Sequence, residues 1–462
     1  MEEENKNLKL HEAELASEET ELRREIGLFG GASILAGIII GGGIFYLGSY
    51  VMMRTGYSLG MCMLAWILGG VVSMLGGLCY AELGAMIPKA GGSMYYLNEA
   101  YHPSVGFSSS FMGWLIGSPG SIAAGALALA SMFAIGGIPG KIFATVVCIA
   151  FTLFNLLGVK QGSILTNITV IGKVIPILII LFAALIKGNS GNTLSMTSAY
   201  PEGTSGNFFG MVAFATVATL WAYEGWTNLN TVAEEVKNPK KNLPLSIIVA
   251  IGAITVLYCL FNYAIWKVIP LSEMHELIEN GTYFLGTEAA KKIFGAAGAT
   301  LVAVGMAISQ LGSINSMTLA FPRLPYAMAK EGHFFKGLGH INKNQVPDYA
   351  MWCQLVIILL LIWVRGLDQL TTLVVFAQQI ANVLIIAAVL ILRKKMPDMP
   401  RPYKVWGGAI TVILAIIVNL ALMINTFKED PVTALIGLGV WALAFVVYFI
   451  FDAKNKAEAK SK

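Results

Sequence analysis

Glu224 and Lys173 are charged side chains set well inside apolar runs. Glu224 falls within 208–232 and Lys173 within 165–187. An ionisable group at the centre of a membrane helix costs roughly 2.5–3.5 kcal/mol on insertion scales, so each is a functional candidate. Glu224 is either a fixed polar wall or a titrating group. Lys173 is either a cation filling a position that a sodium ion would otherwise occupy, tying its own run to the first break, or a structural lysine snorkelling toward the interface. A third feature carries no side chain. Gly41-Gly42-Gly43 interrupts the apolar run 26–52, and each glycine costs about 1 kcal/mol relative to alanine inside a helix. A triplet is therefore a weak point, and its bare backbone lets a ligand approach.

The chemistry follows from what a broken helix releases. Irregular backbone at membrane depth is tolerated only where protein or a watery cavity satisfies its N–H and C=O groups. Below the first break, the N–H groups of Gly42 and Gly43 open a half-helix, an end that attracts a carboxylate. The second break is Trp221-Ala222-Tyr223-Glu224-Gly225-Trp226, where carbonyls released before the gap can accept from an ammonium group. Donors for a carboxylate and acceptors for an amine together describe an α-amino acid zwitterion. Trp221 is placed to act as an aromatic lid. A pair of interrupted spans at matching positions in two halves is the sequence signature of a secondary transporter's substrate site.

The elements that must position these groups are membrane helices. The chain has 462 residues, 56% of them hydrophobic and 13% charged, against roughly 25% charged in soluble domains. A helical span needs about 20 apolar residues. Twelve runs qualify: 26–52, 58–87, 105–134, 138–158, 165–187, 208–232, 244–269, 295–322, 348–365, 369–392, 405–426 and 432–453. Short alternating strands of the barrel type are absent. The expected architecture is all-α and polytopic, with 12 transmembrane helices in one transporter domain over 26–453. Its first repeat is 26–187, its second 208–392, and 405–453 forms two peripheral helices. Five spans per half force opposite orientations, giving a 5+5 inverted repeat with discontinuous helices 1 and 6. Arg323–Phe335 is expected to contain a short helix leading out of span eight. Stripes such as Gly69, Ser73 and Gly77 are expected at close helix contacts.

Residues 1–25 are acidic and polar, without the apolar core of a signal peptide. They read as a cytoplasmic tail, with 454–462 as a second one. Lys and Arg concentrate on the side of the termini, as in Lys237, Lys240, Lys241, Arg393, Lys394 and Lys395. The positive-inside rule then puts both termini in the cytoplasm of a multi-pass cell-membrane protein. The net charge of +4 is thus a topology signal. Without a basic patch interleaved with aromatics, no nucleic-acid partner is expected. Cys62, Cys79, Cys148, Cys259 and Cys353 all lie in apolar runs, with neither a disulfide framework nor zinc spacing. No cofactor and no metal are expected.

Catalysis has no foothold. His275-Glu276 is followed by Glu279 where H-E-x-x-H needs a second His, and Gly140-Lys141 is followed by Ile142, which is no P-loop. No G-x-S-x-G elbow occurs. A channel would need a polar or charged ring along a pore, and none is found. A membrane amino acid sensor that binds without transporting is compatible with the same site.

At this point the chain resembles the L-type amino acid transporter family, bacterial branch, of the amino acid–polyamine–organocation superfamily. Gly41-Gly42-Gly43-Ile44-Phe45 resembles G-S-G-I-F, with Gly42 in place of Ser. Pro88-Lys89-Ala90-Gly91-Gly92-Ser93-Met94-Tyr95-Tyr96 resembles P-x-x-G-G-x-Y-x-Y, with Met94 departing. Gly172-Lys173 fits the span-five lysine, Trp221–Trp226 resembles F-A-Y-x-G-W, and Phe321-Pro322-Arg323 with Ala327-Met328-Ala329 fits the stretch after span eight.

The resemblance implies sodium-independent transport of L-amino acids, neutral ones first, by alternating access and often by exchange; proton-coupled symport stays open. It places the substrate carboxylate on Gly42 and Gly43, within the Gly41–Gly43 gap, and the amine on carbonyls of Ile39, Trp221 and Glu224. Trp221 gates the site and Lys173 takes the ion position. Glu224 is larger and more acidic than the Gly of many relatives, favouring small or polar substrates. Animal members bond to a heavy subunit through a Cys between spans three and four. Gly136–Lys141 has none, so the lipid bilayer and the substrate are the expected partners, and a monomer is compatible with the sequence.

Overall fold

Helices occupy the apolar runs in the computed structural model, which describes residues 10–17, 24, 26–89, 92–157, 175, 177–202, 204, 206–330, 332–344 and 346–460. Among these residues seven helices are individually long and apolar enough to cross a membrane, and a bent pair makes eight. That pair is span one: Leu28–Ile39 and Gly43–Arg54 meet at 54°. Spans two to four are Leu59–Met86, Pro103–Met132 and Gly137–Leu156. Span five is described only over Ile177–Lys187, so Lys173 lies outside the described residues, as do Ala90 and Gly91. Span six is Phe208–Tyr223 continued by a 3-10 segment, Trp226–Glu235. Spans seven to twelve are Pro239–Val268, Leu285–Ala320, Asp348–Val364, Leu367–Lys395, Gly408–Glu429 and Pro431–Lys460.

Local chemistry sets several ends. Ser58 Oγ accepts from Met61 N at 3.2 Å and Asn207 Oδ1 from Gly210 N at 2.7 Å, capping spans two and six. Proline opens spans three and seven, where its missing N–H is harmless. Span eight begins earlier than its apolar run because an amphipathic turn precedes it. Gly295 (φ 72°, ψ −171°) separates the two helical stretches, at the boundary expected from hydropathy. The short helix after span eight is Arg323–Lys330. Part of the N-terminal tail is ordered against the body: residues 10–16 are helical, Leu15 is buried, and His11 Nε2 lies 3.1 Å from Glu99 Oε2.

Packing sorts the spans into two groups. One, six and seven surround two, and three packs with four, eight and nine. Span ten touches both groups, and eleven and twelve lean on it from outside. Spans eleven and twelve each have only 28% of their apolar windows buried, against 78% for span three. The glycines of span two explain the tight first group. A Cβ on Gly76 would lie 2.7 Å from the Trp226 ring, and one on Gly77 2.6 Å from Ile251 Cδ1. Gly70 faces Thr255 in the same way.

Two charge clusters tie that group to span ten. At one end Arg54, closing span one, donates to Asp368 Oδ1 at 2.8 Å, Thr372 Oγ1 at 3.0 Å and the Phe214 carbonyl at 2.9 Å. At the other end Arg393 Nε donates to Glu82 Oε1 at 2.8 Å and its Nη2 donates to Oε2. Val405 N also donates to Glu82 Oε2 at 2.7 Å. The Glu82 side chain is 2% exposed. Tyr403, in the loop beyond span ten, faces the same carboxylate, and burial first, then Glu82, pushes its phenol up to about 12. It therefore stays a neutral hydroxyl at physiological pH.

Candidate functional site

Span one loses its helix over Ile40–Gly42. Ile40 N still reaches Ala36 O, but Gly41 N turns back to Ile39 O at 2.8 Å, and Phe45 N bonds Gly42 O as the next helix starts. Among the described residues no hydrogen bond is found from the N–H of Gly42 or Gly43. These are the orphan donors that every helix N-terminus carries, here inside a bent apolar span.

Span six breaks differently. Its α-helix ends at Tyr223, Glu224 is extended (φ −65°, ψ 144°), and Gly225 takes φ 119°, a region L side chains rarely adopt. The downstream half is 3-10 rather than α, so the expected span 208–232 holds a change of helix type as well as a gap. Arg24 closes its far end, donating to the carbonyls of Ala233 at 3.2 Å and Val236 at 2.7 Å.

The two gaps lie against each other. A Cβ on Gly43 would sit 3.0 Å from Trp221 Cδ1 and 3.3 Å from Ala222 Cα, and one on Gly225 would sit 2.6 Å from Ile38 Cγ2. Residues about 180 positions apart thus meet only because glycine stands at both points. Tyr258 of span seven fastens them: its hydroxyl lies 3.1 Å from the Ile39 carbonyl and 3.0 Å from that of Ala222. The ring is fully buried and edge-on to Trp66 at 5.6 Å. Sequence reasoning missed Tyr258. Its one signal was a hydroxyl in an apolar run, which must find a partner.

The predicted acceptors fare unequally. The Ile39 carbonyl already receives Gly41 N and shares the single Tyr258 hydroxyl proton with the Ala222 carbonyl. Among the described residues the Trp221 carbonyl receives only the long bond from Glu224 N at 3.3 Å. The Trp221 side chain is half-buried beside Gly43 and packs on an apolar cluster that includes Val72, Val217 and Val375. The Glu224 side chain lines a small crevice of about 20 Å³, room for about one water, with Ser73, Gln379, Asn382 and Asn419 from spans two, ten and eleven. None of residues 39–43 lines it. Glu224 therefore offers its backbone to the gap and its carboxyl to a separate polar space. In that space Gln379 is 2% exposed, and neither amide atom has a partner among the described residues.

Comparisons with known proteins bear on this arrangement. Residues 26–451 match the amino acid permease family. The serine/threonine exchanger SteT of Bacillus subtilis (strain 168) is 32% identical over 442 residues, covering 94% of this chain and 98% of that protein. The b(0,+)-type amino acid transporter 1 of Mus musculus is 30% identical over 96% of this chain and 88% of its own length. The large neutral amino acids transporter small subunit 2 of the same species is 29% identical over 93% and 81%.

Proposed function

The chain belongs to the amino acid permease family, and from that premise we propose that it exchanges L-amino acids across the cell membrane without sodium. The contact of two helix gaps fastened by Tyr258 carries this reading. It sets the orphan N–H groups of Gly42 and Gly43 beside the end of the span-six helix. The substrate carboxylate takes these N–H groups. The ammonium takes the Trp221 and Glu224 carbonyls, and that of Ile39 once a donor leaves it. Neutral and small polar substrates are favoured, in keeping with relatives named for serine, threonine and large neutral amino acids.

Alternating access then requires the group of spans one, two, six and seven to rock against three, four, eight and nine. In this reading the two charge clusters of span ten act as latches, one at each end. Loading breaks Arg54–Asp368 on one side, and release breaks Glu82–Arg393 on the other. Trp221, beside Gly43, is the gate residue. Lys173 holds the cation position that frees the cycle from sodium. The lysine and arginine asymmetry puts the termini in the cytoplasm. Without a cysteine in 136–141, no disulfide-linked heavy subunit is required.

Proton symport is the second reading. It is favoured by the Glu224 carboxyl, which faces an internal crevice without a cationic partner among the described residues. One assay separates the readings. Labelled L-amino acids are presented to proteoliposomes that are empty or loaded with unlabelled substrate. Exchange predicts uptake only into loaded vesicles. Uptake into empty vesicles driven by an inward proton gradient would replace it with symport, and binding without flux would leave a sensor.

A further inference from the structure

Span eight brings a carboxamide to the first gap. Gln310 is 8% exposed, and its Oε1 has no hydrogen-bond partner among the described residues. It lies directly over Gly42: a Cβ built there would coincide with Oε1 and lie 2.5 Å from Cδ and 3.0 Å from Nε2. On its other side a Cβ on Gly125 of span three would come within 2.6 Å of Nε2. Two glycines from two spans thus make the slot that this side chain fills. Ser313, one turn further along span eight, has its Oγ 3.8 Å from the Cβ position of Gly41. Either orientation of the amide leaves a polar atom over Gly42.

A buried acceptor without a donor is unfavourable, and this one stands beside the backbone assigned to the substrate. Gly42 is also where the chain departs from the G-S-G-I-F pattern. A side chain at 42 and the carboxamide of Gln310 in its present rotamer compete for the same space, so a hydroxyl-bearing residue at 42 would displace the carboxamide. We propose that Gln310 is a substrate-contacting residue, its carboxamide oxygen, seated over Gly42, accepting a hydrogen bond from the substrate's α-ammonium. This rests on the transport reading above. It adds to that reading a side chain from the rocking partner, so that the zwitterion is gripped from both groups of spans at once.

The test uses the full chain in proteoliposomes and whichever amino acid ranks first in the labelled panel. Gln310→Met, near in volume but without the amide, is expected to raise KM about tenfold or more with Vmax little changed, as when a site loses a bond it was built to make. Gly42→Ser alone is expected to lower exchange because its Oγ meets the carboxamide. Gly42→Ser combined with Gln310→Ala is expected to recover most of that loss. The preference for the amino acid over its α-hydroxy-acid analogue should shrink about tenfold in Gln310→Met. A general packing defect would not produce that change. An unchanged KM, or a double variant no better than Gly42→Ser, overturns the proposal. Should Gln310→Met not assemble, the Gly42→Ser pair decides alone. If the wild type exchanges no amino acid, the transport reading has failed. If it exchanges normally and the Gln310 variants match it, only this inference has.

Discussion

At the scale of single residues the site depends on what is absent from Gly43 and present on Tyr258. Gly43→Val would force a branched side chain into space already occupied by Trp221 and the Ala222 backbone. Substrate binding is expected to be lost, read as the absence of ligand-induced thermal stabilisation in purified protein. Tyr258→Phe keeps the ring and removes the hydroxyl shared by the Ile39 and Ala222 carbonyls. One lost hydrogen bond of this kind is worth about 1 kcal/mol, so a modest fall in melting temperature with a larger fall in exchange is expected. An unaltered exchange rate would show that the two gaps need no fastening. The glycine triplet and Glu224 were legible in the sequence because they violate the composition of a membrane helix. Tyr258 and Gln310 were not. A tyrosine or glutamine in an apolar span breaks no local rule, and its meaning lies in which carbonyl or glycine the fold sets opposite it.

At the scale of elements, span ten is bracketed by Asp368 and Arg393, each paired with a different helix of the mobile group. The Glu82–Arg393 pair is the more buried. Removing one partner of such a pair typically costs about 3–5 kcal/mol. Arg393→Leu is therefore expected to lower the melting temperature markedly, and Glu82→Leu/Arg393→Leu to recover part of the loss. Additive losses in the double variant would mean that the two side chains are not coupled. Hydropathy located the twelve runs and placed the start of span eight at Gly295. It was blind to the 3-10 form of 226–235, whose shape comes from the αL turn at Gly225 and the carbonyls closed by Arg24. It was equally blind to the partners of Glu82, since Arg393 lies 311 residues away and charge spacing says nothing about such a pairing. The stripe on span two was readable as packing, and Thr219 and Ile251 fill the places opposite its Gly69 and Gly77.

At the scale of the whole molecule, each half runs broken span, long span, short helix, long span. Leu59–Met86 is followed by Ser93–Ala100 in the first half, and Pro239–Val268 by Leu271–Glu279 in the second. The recurrence supports the five-plus-five repeat that weak internal identity left implicit. It also gives the rocking motion a geometric basis, with span ten as the element both groups share. If Lys173 holds the cation position, replacing sodium by choline leaves exchange unchanged in the wild type, while Lys173→Ala reduces it severely. Near-normal flux in Lys173→Ala would remove that role.

The central claim is that two adjoining backbone gaps read both ends of an amino acid. Its most direct test is a competition-binding measurement on the purified protein. The preferred L-amino acid is compared with its α-hydroxy acid, which lacks the ammonium, and its methyl ester, which lacks the carboxylate. The account predicts that each analogue binds about a hundredfold more weakly or worse, as expected when a buried polar group loses its partner. Equal affinity for the amino acid and either analogue would contradict it.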